Sequence, residues 1–243
     1  MDYSLTTRLA AEFLGTALLV MLGNGAVANV DLRGTKGYGS DWMLIAVGYG
    51  CGVMSPAKIF CCISGNHITP AFTIGLAVSG MFPWSEVLPY IVVQFLGAMV
   101  GQLVVVASYK PYYDQTEDKL HVLGTFSTIN SVGSKFNGFV NEFFGSFILF
   151  FGALGITKAP FFQDNLGTAH LALGFLVWTL VASFGGPTGP GLNPARDLSP
   201  RIMHALLPLK NKGDSQWSYS WVPVVAPIVA SIIAIALYKA LFI

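Results

Sequence analysis

Six segments of this sequence, roughly 8–30, 42–62, 87–109, 136–157, 168–185 and 220–241, are apolar over the ~20 residues a helix needs to cross a bilayer. Nothing constrains the fold more. In hydrocarbon no water satisfies a free N–H or C=O, so only helices and closed barrels span it. These runs are continuous rather than alternating, so they are read as helices. Charge agrees: 10% of residues are Asp, Glu, Lys or Arg, against ~25% in soluble domains. The first segment holds Glu12 inside its apolar run and is too long for a signal-peptide core, and no small-residue cleavage site follows, so it is read as a span. With 13 basic and 12 acidic residues the net charge is +1, which excludes a nucleic-acid stripe or an acidic tail. The expectation is an all-α membrane protein forming one domain, 1–243.

Polar connections fall near 31–41, 110–135, 158–167 and 205–219. The 110–135 stretch is the longest, and its turn-formers predict a solvent loop. Segments 63–80 and 185–204 are different, because they mix Gly, Pro and polar residues with apolar runs too short to cross. Irregular backbone at membrane depth survives only when buried in protein or lining a water-filled cavity. The two segments are therefore expected to be re-entrant half-helices at a pore or binding site. The chain also repeats itself. Glu12-Phe13-Leu14-Gly15-Thr16 returns as Glu142-Phe143-Phe144-Gly145-Ser146, and Thr69-Pro70-Ala71 as Asn193-Pro194-Ala195. Each half, 1–109 and 136–243, then holds three spans and one half-helix. An odd number of spans makes the second half enter from the opposite face, an inverted repeat with its site at the midplane.

Pro at the first position of a helix lacks an N–H that would be unpaired anyway, and its φ is preset. Pro70 and Pro194 are therefore expected to start the half-helices, with Thr69 and Asn193 as N-caps accepting from free backbone N–H groups. The two N-termini would bring partial charges of roughly +0.5 each to mid-membrane, a field that opposes cations.

Ser64-Gly65-Asn66-His67-Ile68-Thr69-Pro70-Ala71 and Gly191-Leu192-Asn193-Pro194-Ala195-Arg196-Asp197 resemble the two signature loops of the major intrinsic proteins, the aquaporins and aquaglyceroporins. The repeated Glu-Phe motif and Gln94-Phe95-Leu96-Gly97-Ala98 are similar to the same family, so the resemblance covers nearly the whole chain. Thr69 stands where the family usually has Asn. A kept half-helix with a slightly wider, less polar constriction is expected there, since Thr has one donor and a shorter reach.

The resemblance implies a narrow selectivity filter at Tyr49, Val181, Pro190 and Arg196. Strict water channels place a His in the fifth span and a second aromatic in the filter. Val181 and Pro190 instead imply a wider, amphipathic opening suited to short polyols. Glycerol facilitators typically have two large aromatics there, a further departure. Asp197, Arg201 and the pair Pro223-Val224 resemble marks of the glycerol-conducting subfamily. The resemblance also implies that Glu12, Glu142 and His67 brace the two loops, that the chain forms a homotetramer in the plasma membrane, and that its termini are cytoplasmic. The distribution of Lys and Arg argues against that orientation. The termini's side would hold Arg8, Lys58, Lys158 and Lys239, and the opposite side the other nine, against the rule that basic residues favour the cytoplasm.

The remaining residues read simply. Cys51, Cys61 and Cys62 are expected to be small core residues, and no metal site is expected. His121, His170 and His204 are expected near solvated loops, and Lys58 to snorkel to the headgroups. Gly97 and Gly101 read as close helix packing. An Arg at the bilayer centre costs on the order of 2.5–3.5 kcal/mol unless paired or wet, so Arg196 is expected beside the pore. No cofactor motif and no nucleophile–base arrangement points to an enzyme. The expected function is a passive channel for glycerol, water and small uncharged solutes such as dihydroxyacetone, hydrogen peroxide or undissociated lactic acid, excluding ions and protons. A proton-coupled transporter using Glu12 or Glu142, and a non-conducting structural relative, are the alternatives.

Overall fold

The structure is a computed structural model that describes residues 3–189 and 191–243. Pro190, expected in the filter, lies outside the described residues. Among those residues six helices are long and apolar enough to cross a membrane. They are α1 (Leu5–Asp31), α2 (Trp42–Ser64), α4 (Trp84–Gln115), α6 (Lys135–Lys158), α8 (Leu166–Thr188) and α10 (Val222–Phe242), so the chain is a multi-pass membrane protein. The interrupted segments become α3 (Pro70–Val78) and α9 (Pro194–Leu206), each with Pro in its first turn. Two short helices, α5 (Lys119–Gly124) and α7 (Pro160–Asp164), lie in connections.

The helix ends follow local chemistry. Ser4, Asp41 and Ser134 accept from backbone N–H groups at the starts of α1, α2 and α6. Gly65 ends α2 at φ 86°, the left-handed cap that glycine adopts without strain.

The repeat is visible in the packing. In the first half α1 packs on α2 and α4; in the second, α6 packs on α8 and α10. The half-helices cross over, since α3 packs on α10 of the second half and α9 on α4 of the first. At the α1–α4 crossing a Cβ on Gly101 would sit 2.5 Å from the Ala17 carbonyl oxygen. Only a glycine admits that approach.

Three expectations are corrected. The 110–135 stretch is only in part a solvent loop: α4 runs on to Gln115, α5 follows, and Val122, Leu123, Phe126, Ser127 and Thr128 are buried, while 117–121 and 131–133 are exposed. Its apolar residues pack with Leu32, Val105 and Val106 into a core of their own, which turn-forming composition does not reveal. His204 is fully buried in α9, with Nδ1 2.8 Å from the Ser215 hydroxyl. The cysteines are not core residues, for Cys51 and Cys62 are exposed and Cys61 half-buried. On a membrane helix an apolar side chain gains nothing by facing inward, because lipid is as apolar as the core.

Candidate functional site: a path through the helix bundle

Glu12 and Glu142 hold the irregular backbone in place. Both are fully buried within spans. Glu12 accepts from the Ser64 hydroxyl (2.6 Å), the His67 N–H (2.8 Å), the Ile68 N–H (2.7 Å) and the Gln94 amide (2.9 Å). Glu142 accepts from the Thr188 hydroxyl (2.8 Å), the Gly191 N–H (2.8 Å) and the Leu192 N–H (2.9 Å). Each carboxylate so takes one hydroxyl and two consecutive amides, and the donors in the two halves are 124 positions apart. The bonds stabilise an unusual backbone: Ile68 at φ 47° and Leu192 at φ 51° are non-glycine residues in the left-handed region. A β-branched residue there is strained and must be held by its surroundings. His67 is packed against Phe72, Phe82 and Tyr90, with Nδ1 3.1 Å from the Thr73 hydroxyl.

The half-helix starts differ. Asn193 caps α9, its Oδ1 accepting from the Ala195 and Arg196 N–H groups at 2.9 and 3.2 Å. Thr69 occupies the N-cap of α3 but makes no side-chain cap bond, and its buried hydroxyl has no protein partner. The expectation that Thr69 caps is therefore corrected: its short side chain stays beside the lumen while α3 forms without it.

Three cavities run in series. The first, about 400 Å³, lies beside the 110–135 segment and is lined by Asp31, Trp42, Asp118, His121 and Thr128 among others. Bonds from the His121 and Leu120 N–H groups hold the Asp118 carboxyl below the usual carboxylate range, so this mouth carries negative charge. The second, about 90 Å³, contains Thr69, Asn193, Leu192 and Ile68. The third, about 360 Å³, opens near α7 and is lined by Cys61, Cys62, Lys158 and His170. Tyr49, Val181 and Arg196 line both the first and second cavities. Asn66, His67, Phe72, Ala153 and Leu173 line both the second and third. Neighbouring cavities thus share walls, and the smallest of the three lies at the half-helix starts.

At the first junction the Arg196 guanidinium lies over the Tyr49 ring, 4.8 Å from its centroid, and donates to the Tyr49 hydroxyl. It also donates to the Phe126 carbonyl at 3.4 Å, so the segment expected to be a solvent loop supplies a wall of the junction. Trp42 donates to the Val181 carbonyl at 2.8 Å. Beside this wall Asp197 accepts from the Thr128 N–H (2.7 Å) and hydroxyl (2.6 Å), and pairs with Arg201 at 2.9 Å. Arg201 donates on to the Thr128 and Ser215 carbonyls, at 2.8 and 2.6 Å. Asp197, Arg201, Thr128 and Ser215 are all buried, and Asp197 and Arg201 line none of the three cavities, so the pair clamps two connections to α9 and does not reach the path. Pro223 is buried against Gly191, and Val224 is half-buried nearby on α10. Sequence reasoning missed Trp42, Asn66, Phe126 and Thr128 as contributors to this region. Among the described residues no cluster of three or more His, Cys, Asp or Glu could hold a metal ion.

The comparisons with known proteins agree with this geometry. The family described as "Major intrinsic protein" matches residues 2–238. "Glycerol uptake facilitator protein-like 5" of Lactiplantibacillus plantarum is 54% identical over 248 residues, covering 100% of this chain and 99% of its own. "Glycerol facilitator-aquaporin gla" of Lactococcus lactis subsp. cremoris is 47% identical over 289 residues, covering 100% of both. The solved aquaglyceroporin from Plasmodium falciparum superposes with a TM-score of 0.85 at 28% identity, covering 98% of this chain and 97% of the other.

Proposed function

The chain belongs to the major intrinsic protein family, and on that premise we propose that it is a passive channel for glycerol, water and similar small uncharged solutes. The observation that carries this reading is the series of adjoining cavities whose first junction is walled by Tyr49, Val181 and Arg196. It offers a solute one cationic donor, one aromatic face and one aliphatic side, which match the OH edge and CH edge of a short polyol. The named relatives are glycerol facilitators, in keeping with that match. Dihydroxyacetone, hydrogen peroxide and undissociated lactic acid have the size and polarity to follow.

Tyr49, Val181 and Arg196, with Pro190, are the proposed filter. Cations, protons included, are opposed by Arg196 and by the starts of α3 and α9, each start carrying roughly +0.5 of a charge. Glu12 and Glu142 are proposed as loop braces. Their oxygens are occupied by amides and hydroxyls, which favours bracing over proton exchange. The proposed assembly is a homotetramer in the plasma membrane, one pore per chain. Six spans put both termini on one side, here taken as cytoplasmic.

Stopped-flow light scattering on proteoliposomes tests the function. A glycerol gradient should collapse far faster than in bare liposomes, without saturation and without a pH gradient. Flux equal to bare liposomes, or saturable uptake that needs a pH gradient, overturns it. Protease access to 110–135 from outside intact cells tests the orientation.

A further inference from the structure

Behind the Tyr49–Arg196 contact lies a set of buried hydrogen bonds that can run in one direction only. Gln102 on α4 donates through Nε2 to the Thr125 carbonyl at 3.3 Å. Its Oε1 accepts from Asn24 Nδ2 on α1 at 2.6 Å, and the same Nδ2 donates to the Phe126 carbonyl at 3.2 Å. Asn24 Oδ1 then accepts the Tyr49 hydroxyl proton at 2.5 Å. The Tyr49 oxygen, its proton committed, accepts from Arg196. Because Gln102 and Asn24 each donate to a backbone carbonyl, which only accepts, turning over either amide would set oxygen against oxygen. Asn24 and Gln102 are fully buried and line none of the three cavities. Two uncharged amides inside spans would otherwise be an expense without return.

We propose that Asn24, aligned by Gln102, is a positioning residue that sets the channel's solute specificity. By taking the Tyr49 proton it withdraws the phenol from the lumen, so Tyr49 presents its ring to the solute. It also fixes the Tyr49 oxygen and the Phe126 carbonyl as the two acceptors that orient Arg196, leaving the guanidinium's remaining N–H groups as the donors for a passing hydroxyl. The specificity of the filter is thus set by a polar pair one layer behind it. This inference rests on the reading of Tyr49, Val181 and Arg196 as the filter.

The test is a mutant cycle of Asn24→Leu, Tyr49→Phe and the double variant in proteoliposomes, with Arg196→Ala alongside. The readouts are glycerol permeability relative to that of the five-carbon polyol ribitol, and the thermal midpoint in detergent. Asn24→Leu should change the glycerol-to-ribitol ratio about threefold or more, a coupling usual for residues sharing a hydrogen-bond network. The double variant should match Tyr49→Phe, because without the hydroxyl Asn24 has nothing to hold. A purely structural Asn24 would lower the midpoint and scale both solutes alike in either background, and that result overturns the proposal. If Asn24→Leu does not assemble, Gln102→Met carries the same expectation and the same refutation. An unchanged ratio in Arg196→Ala would instead sink the filter reading itself.

Discussion

The side-chain amide of Asn193 donates to the Ile68 carbonyl at 2.7 Å, so the cap of one half-helix ties down the strained turn that leads into the other. One side chain thereby does two tasks, because its oxygen caps α9 while its nitrogen crosses the midplane. In the first half Thr69 does neither. Its hydroxyl is buried without a protein partner, and α3 starts from Pro70 alone.

Replacing Thr69 with Asn should therefore restore both bonds, one to the free N–H groups of α3 and one, by the symmetry of the halves, to the Leu192 carbonyl. An N-cap is worth ~1 kcal/mol, so Thr69→Asn is expected to raise the thermal midpoint in detergent. The bulkier amide should also slow glycerol relative to water. A lower midpoint with intact expression would mean that the site has no room for the longer side chain.

The two carboxylates predict a larger effect in the opposite direction. Glutamine at 142 keeps one oxygen but turns an NH2 toward an N–H or hydroxyl that now lacks an acceptor. A hydrogen bond to a charged group contributes about 1.5–3 kcal/mol, so Glu142→Gln should lose stability of that order. Glu12→Gln should lose more, since Glu12 serves four donors. Thermal unfolding followed by tryptophan fluorescence measures both. Midpoints equal to the parent would show that the loops stand without the carboxylates.

Glycine substitutions separate helix packing from pore chemistry. A Cβ at Gly101 meets Ala17 backbone at 2.5 and 3.1 Å, whereas at Gly167 nothing lies within 4 Å. Gly101→Val is expected to cost at least the ~1–3 kcal/mol of overpacking, because backbone cannot move aside as a side chain does. Gly167→Ala should be neutral or slightly stabilising. Yield of folded protein by gel filtration reads both, and a well-behaved Gly101→Val would contradict the close α1–α4 crossing.

The spans and half-helices were legible because each is dictated locally: apolar length makes the span, and Pro at the first turn makes the half-helix. The equivalence of Glu12 with Glu142 was legible because the repeat is written in matching residues. What could not be read depends on the chain folding back over distance. Phe126 and Thr128 sit in a segment with loop composition, and only its packing against α1, α4 and α9 brings them to Arg196 and Asp197. Asn24 and Gln102 left a signal, polar amides inside apolar runs, but their partners are 78 positions apart. His204 shows the converse, since a ring close to a connection is buried by a residue of that connection, Ser215.

The filter predicts opposite outcomes for its two walls. Val181 is an aliphatic side of the first junction and its carbonyl is held by Trp42, so Val181→Trp adds bulk to the lumen without removing a donor. Water, the smaller solute, should still pass, while glycerol permeability falls much further. Arg196→Ala removes the cation and the contact with Tyr49 together, which opens the junction and takes away its positive charge. Glycerol should keep moving, discrimination against longer polyols should weaken, and a small cation leak should appear. The half-helix starts remain as the second barrier to cations, so the leak should stay far below that of an open ion channel. Paired measurements of water, glycerol and ribitol flux with a cation-sensitive dye check both variants. Parent-like behaviour in both would remove Tyr49, Val181 and Arg196 from the filter and move selectivity to the second junction, where Asn66, His67 and Phe72 line the path.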